Sequence, residues 1–250
     1  MTNHQRGIQT VEFSGEILRL VCSSKKALSL SEIAEALDMA PGSAYKYLIS
    51  LLRTGLLRRN ETTLEFEAGP LSLRLGLAKI NHDVLLIKAR EALSKIAEKY
   101  EVNVFASMWS NSNGPTVVFY KEFAGFLDTG FRLGINLSLT RTATGRLFSA
   151  FEKYENNSDH KLCLLEEQQI FEPELLLEID KIRKQGFSIL IGTPTPGLSS
   201  CAIPVLNRNN EIFMALTAFS HQNKLNEEIM LLLISDLKCI SESLEEQING

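Results

Sequence analysis

The sequence is short of cysteine and histidine in any useful arrangement. Its four cysteines stand at 22, 163, 201 and 239, with no C-x-x-C pair. His4, His82, His160 and His221 have no metal-ligand spacing among themselves, and none stands at zinc-finger spacing from a cysteine. His160 and Cys163 lie three apart, which reads as a surface histidine beside a buried thiol. No structural zinc, disulfide framework or other metal cofactor is expected, and scattered thiols fit a reducing compartment. Long apolar runs are also missing. The longest is Ile229–Ile234, far short of the roughly 20 residues of a membrane helix, and residues 1–20 lack a signal-peptide core. A soluble, cytoplasmic protein is expected, with no membrane partner. Catalytic signatures are absent too. Gly197-Leu198-Ser199-Ser200-Cys201 is not a nucleophile elbow, and Gly192–Gly197 lacks the Lys-Ser/Thr of a phosphate-binding loop. Neither an enzyme nor a bound cofactor is expected.

Excess positive charge is lacking as well: the net charge is −4. Residues 1–70 hold eight basic and eight acidic side chains and sum to zero. Nucleic-acid affinity rests mainly on phosphate neutralisation. A neutral segment therefore binds DNA only if its cations cluster on one face, and dimerisation would be needed to double the contacts.

What is present is clear helix and strand punctuation. Val11, Ile17, Leu18 and Val21 predict a helical stripe over about residues 10–22. At Leu28-Ser29-Leu30-Ser31-Glu32-Ile33, Ser29 can cap a helix, Glu32 can reach back to it, and Leu28 and Ile33 can close a hydrophobic staple. That helix spans Leu30–Leu37. After Asp38-Met39-Ala40, Pro41 is suited to the first turn of the next helix. This one runs to about Arg53, with Ala44, Leu48, Leu51 and Leu52 inward and Gly42, Ser43, Tyr45, Lys46, Ile49 and Ser50 outward, and Gly55 stops it. Leu56–Arg59 and Leu64–Glu67 predict a hairpin around Asn60–Thr63. Three helices and a basic hairpin make a winged helix-turn-helix, whose second helix of the pair enters the major groove. The expected DNA contacts are Gly42, Ser43, Tyr45 and Lys46, with Arg58 and Arg59 on the wing, although the tip Glu61-Thr62-Thr63 is not basic.

Residues 1–70 are thus expected to form the DNA-binding domain, 71–82 a linker helix and 83–250 an effector-binding and oligomerisation domain. In the last, strands are predicted at Asn103–Trp109, Thr116–Lys121, Phe126–Leu133, Gly186–Ile191, Ser200–Leu206 and Glu211–Phe219. Helices are predicted at Asp83–Tyr100, Thr142–Phe151, Pro173–Gln185 and Asn226–Gln247. The pattern is α+β, with helices on a mixed or antiparallel sheet. Thr142, Ala143 and Thr144 precede Gly145 at a helix start, where free N–H groups suit an anion. A ligand held there by amides and hydroxyls would be a small organic acid or a sugar-derived carboxylate.

Three segments carry a resemblance to a known family. They are Gly7–Glu12; Leu30–Leu37 with the following helix and Gly55-Leu56-Leu57-Arg58-Arg59; and Leu139–Arg146, with Ile182–Phe187 and Gly197–Val205 downstream. In this order and spacing the chain resembles the IclR family of bacterial transcriptional regulators over nearly its full length. It departs from the family pattern at Pro41-Gly42-Ser43, at Tyr45 and at Leu190-Ile191-Gly192-Thr193. The resemblance implies a winged helix-turn-helix, an effector domain resembling the GAF fold, and homodimers or homotetramers. Aligned to the family, Leu190, Ser200 and Thr217 fall near the pocket of Thr142–Thr144; Phe219 follows on the same strand face, and Arg132 is a further candidate for charge pairing. The function this implies is effector-responsive regulation, by repression or activation, of a metabolic operon through a double-stranded DNA operator. A metabolite-binding protein or enzyme that keeps a degenerate winged helix for protein contact is the alternative.

Overall fold

A computed structural model of the protein describes residues 7–24, 26–110, 114–123, 132–151 and 173–249. The chain divides into two compact units, 1–82 and 83–250.

The first unit begins with α1 (Gln9–Ser23), α2 (Leu30–Ala36) and α3 (Pro41–Thr54). Ser29 caps α2: its hydroxyl accepts the Glu32 N–H at 3.2 Å, and the Ser29 N–H donates to the Glu32 carboxylate at 2.8 Å. Pro41 occupies the first turn of α3, and Gly55 ends it in the left-handed conformation at φ 77°, which costs glycine little. Ile17, Leu28, Ile33, Leu48, Leu51, Leu57 and Phe66 form the core. Val11, expected on the inner stripe of α1, is instead 64% exposed; Ile17 is the residue that α1 buries.

The hairpin is shorter than expected. β1 (Leu57–Arg59) pairs antiparallel with β2 (Phe66–Ala68), in register Arg58↔Glu67. Leu64 leaves the return strand because it takes a left-handed φ of 61°. The Asn60 side chain accepts the N–H groups of Thr62 and Thr63, which holds this turn. Leu28 bridges to Phe66 and adds a third short pairing. α4 (Pro70–His82) completes the unit. It buries none of its residues, leaving Leu73, Leu75 and Leu77 exposed.

The second unit opens with α5 (Val84–Tyr100), capped by the Asp83 carboxylate. It then runs β3 (Asn103–Trp109), β4 (Pro115–Lys121), α6 (Ala143–Phe151), α7 (Pro173–Gln185), β5 (Ser188–Ile191), β6 (Leu198–Leu206), β7 (Ile212–His221) and α8 (Glu227–Asn249). The five strands form one antiparallel sheet in the order β4-β3-β7-β6-β5. β6 and β7 are buried at consecutive positions, the mark of strands covered on both faces. α6 and α7 pack over Ala202 and Ala215 through Leu147, Phe148, Ile179 and Ile182. The strand expected at Phe126–Leu133 lies outside the described residues except for Arg132 and Leu133, which are not in a strand. His160 and Cys163 also lie outside them.

Candidate functional site

On α3 the inward positions Ala44, Leu48 and Leu51 fix which face is left for a partner. Gly42, Ser43, Tyr45 and Lys46 are all exposed, as their spacing requires. The N-terminus of α3 has no side-chain cap; Pro41 has no N–H and the Ser43 and Ala44 N–H groups donate to the Ala40 carbonyl, so this end presents the Gly42 N–H and the positive end of the helix dipole. Ser50 and Arg53 lie four and seven residues after Lys46, on the same face, and are exposed. Arg53 was missed by sequence reasoning. The helical repeat that placed Lys46 outward places it there too.

The wing arginines are differently occupied. Arg58 Nε lies 2.8 Å from Glu67 Oε1 across the hairpin. Arg59 Nε donates to the Leu64 carbonyl at 2.8 Å, and its guanidinium sits over the Phe66 ring at 5.4 Å. Both side chains are exposed, but each already has a partner.

In the second unit a pocket of about 450 Å³, including its open mouth, lies at the start of α6. It gathers Thr142, Ala143, Thr144, Ser200, Thr217 and Phe219 as expected. Leu190 does not line it. Paired opposite Ser200 on β5, it is 7% exposed and packs into the core under α6 and α7. Arg132 is exposed and outside the lining. Phe105, Leu198 and the loop Thr193-Pro194-Thr195 also line the pocket. A loop folding back over a sheet leaves no periodic signal in the sequence.

The wall is mostly apolar, from Phe105, Ala143, Pro194, Leu198 and Phe219, and its polar chemistry is hydroxyl and amide. Thr142 acts as the cap of α6: its Oγ1 accepts the Gly145 N–H at 2.9 Å and donates to the Ser138 carbonyl at 2.8 Å. Thr144 and Thr217, each 1% exposed, share a hydroxyl hydrogen bond of 2.8 Å. The N–H groups of Ala143 and Thr144 have no acceptor among the described residues. Ser200 is half-buried, and its hydroxyl likewise has no partner among them. Among the described residues no lysine or arginine lines the pocket. Arg146, close by in sequence, is tied to Glu178 at 2.5 Å and to the Thr140 carbonyl at 2.6 Å. Among the described residues no cluster of His, Cys, Asp and Glu is suited to a metal, and no helix is long and apolar enough to cross a membrane. Burial pushes the Cys201 thiol up to about 12, which leaves it unreactive near neutrality.

Comparison with known proteins follows this division of the chain. Residues 14–61 match the IclR helix-turn-helix domain. Residues 82–245 match the bacterial transcriptional regulator IclR C-terminal domain. The HTH-type transcriptional regulator BhcR of Paracoccus denitrificans is 25% identical over 212 residues, covering 82% of this chain and 75% of that protein. An IclR transcriptional regulator from Alicyclobacillus acidocaldarius has a similar structure, with a TM-score of 0.78, 19% identity, and coverage of 98% of this chain and 100% of that one. An IclR homologue from Microbacterium hydrocarbonoxydans, solved in complex with 4-hydroxybenzoate, aligns with a TM-score of 0.70 at 13% identity, over 96% of this chain and 98% of that one. With a winged helix-turn-helix at its start and an α+β domain around a hydroxyl-lined pocket, the chain belongs to the IclR family of bacterial transcriptional regulators, effector-responsive proteins that bind DNA.

Proposed function

We propose that this regulator controls a metabolic operon from the cytoplasm. It reads a double-stranded operator with Gly42, Ser43, Tyr45 and Lys46 on α3, and it binds a small organic acid or sugar-derived carboxylate in the pocket at α6. The observation that carries the effector reading is the pair of N–H groups at Ala143 and Thr144, which have no acceptor among the described residues, at the positive end of a helix. Ser200 offers a hydroxyl beside them, and Phe105 and Phe219 offer apolar wall to a carbon skeleton. Thr142 and Thr217 support the walls, their hydroxyls being engaged already. The 4-hydroxybenzoate bound by the Microbacterium homologue is an acid of this kind.

The chain works as a homodimer or homotetramer. Leu73 and Leu77, exposed one turn apart on α4, are the apolar surface a second copy would cover. Effector and operator then bias the same arrangement of protomers, and each alters the other's affinity by one common factor. Arg58 and Arg59 would reach DNA only by giving up their wing partners, the Glu67 carboxylate for Arg58 and the Leu64 carbonyl and Phe66 ring for Arg59.

Selection of bound fragments from genomic DNA tests the reading, because genes beside the operator name the metabolite class. Calorimetry with the acids so identified, and with 4-hydroxybenzoate, should show binding that Ser200→Ala weakens. Equal affinity in Ser200→Ala and wild type would place the effector elsewhere. A second reading, a metabolite-binding protein using the winged helix for protein contact, draws on the Arg58–Glu67 pairing. It predicts that the protein binds no duplex even at low salt.

A further inference from the structure

α3 carries its cations along one line. Lys46 lies one turn after Gly42, and Arg53 follows in the last turn of the helix. Both are exposed, and among the described residues neither side chain is engaged in a hydrogen bond or ion pair. On the wing, by contrast, Arg58 is held by Glu67 and Arg59 by the Leu64 carbonyl and the Phe66 ring. Of the four cations on α3 and the wing, the unengaged ones are therefore both on α3.

Their positions along the helix give them different tasks. Eleven residues separate Gly42 from Arg53, a rise of about 16 Å. The major groove is about 12 Å wide. A helix that enters the groove with its Gly42 end thus carries Lys46 inside the groove and brings Arg53 out to the groove wall, where the phosphates are. A guanidinium there can bind a phosphate bidentately. We propose that Arg53 is the phosphate anchor of α3, fixing the depth and register of the helix on the duplex in place of the wing arginines. This rests on the reading that α3 faces DNA.

Fluorescence anisotropy with the full-length chain tests it, using a labelled duplex of arbitrary sequence and a duplex recovered from the genomic selection. Arg53→Ala should weaken binding to both duplexes by the same factor. Its plot of log affinity against log salt should be shallower by about 0.9 per protomer, the slope of one lost phosphate. Arg53→Lys should restore most of that slope, and Arg58→Ala should change it little. If Arg53 serves only to complement the C-terminal end of the helix dipole, Arg53→Ala lowers the melting temperature and leaves the slope unchanged, which overturns the proposal. Arg53→Gln, which keeps the length of the side chain, repeats the measurement should the alanine variant fold poorly. Loss of binding in Lys46→Ala with none in Arg53→Ala removes the anchor and keeps α3 on the DNA. No change in either variant removes α3 from the DNA altogether.

Discussion

The hydroxyls of Thr144 and Thr217 meet at 2.8 Å between the first turn of α6 and the middle of the sheet, where both residues are 1% exposed. The pair ties the helix that carries the Ala143 and Thr144 N–H groups to a strand that lines the pocket. Removing one member leaves the other buried without its partner, which costs about 1–3 kcal/mol. Thr144→Val and Thr217→Val should each lower stability by that amount. The double variant should recover much of it, because both polar groups are then gone and the volume is kept. Urea denaturation of the four proteins of this cycle checks it; strict additivity would show that the two hydroxyls do not depend on each other. Thr144→Val is therefore a test of stability before it is a test of effector binding, and Ser200→Ala is the cleaner probe of the pocket.

Gly145 sets the height of α6 over the loop before it. A methyl group built there would overlap the Ser138 carbonyl and the Leu139 backbone. Backbone cannot give way as a side-chain end does, so Gly145→Ala should cost about 1–3 kcal/mol or more through overpacking. It should also displace the Ala143 and Thr144 N–H groups. The expected outcome is a lower melting temperature together with weaker effector binding. A variant that melts like wild type would mean that the loop at Ser138 moves freely.

The helix-turn-helix was legible because its signals are local. Ser29 and Glu32 made the capping box, Pro41 opened α3 and Gly55 closed it where the sequence indicates. The hairpin was legible in kind but not in extent, since nothing in the sequence announces a left-handed leucine at 64. On α1, a 3.6-residue repeat cannot tell a core face from an exposed one, and Val11 was misplaced for that reason. In the pocket, the hydroxyls on α6, β6 and β7 followed from family resemblance and helix-start chemistry. Leu190 lies outside the lining because a strand residue can share a sheet position with a pocket residue and still pack under a helix. The part played by Thr193–Thr195 depends on a turn in space.

Glu32 links the helix-turn-helix to pH. Its carboxyl is held down at about 2, first by the Lys26 ammonium at 2.5 Å and then by the Ser29 N–H and hydroxyl. A carboxylate whose folded value lies below its ordinary 4.5 stabilises the fold fully above about that pH. The contribution fades as pH falls and is gone below about 2. Glu32→Gln should therefore be less stable than wild type at pH 7, and the difference should shrink steadily between pH 4.5 and 2. Thermal melts of both proteins across that range check it. A difference that stays constant with pH would assign the effect to the shape of the cap and not to its charge.

Glu67 is an internal competitor for Arg58. The two face each other in register on the hairpin and are joined at 2.8 Å. While the pair holds, a phosphate gains from Arg58 only by displacing a carboxylate already in place, and the carboxylate itself repels the duplex. Glu67→Gln removes the competing charge, keeps the size of the side chain and leaves Arg58 on the exposed wing. DNA affinity should rise, with the gain greatest at low salt, where phosphate contacts count most. The dependence of log affinity on log salt should steepen by up to about 0.9 per protomer if Arg58 then neutralises one phosphate. Folding stability should change by no more than about 0–1 kcal/mol, the usual worth of an exposed ion pair. Anisotropy titrations of Glu67→Gln and of Glu67→Gln/Arg58→Ala separate the two contributions. If the single variant gains affinity and the double variant loses only the steeper slope, Arg58 is the contact that Glu67 restrains. If both variants bind alike with the same slope, the gain comes from removing repulsion alone, and Arg58 lies away from the duplex.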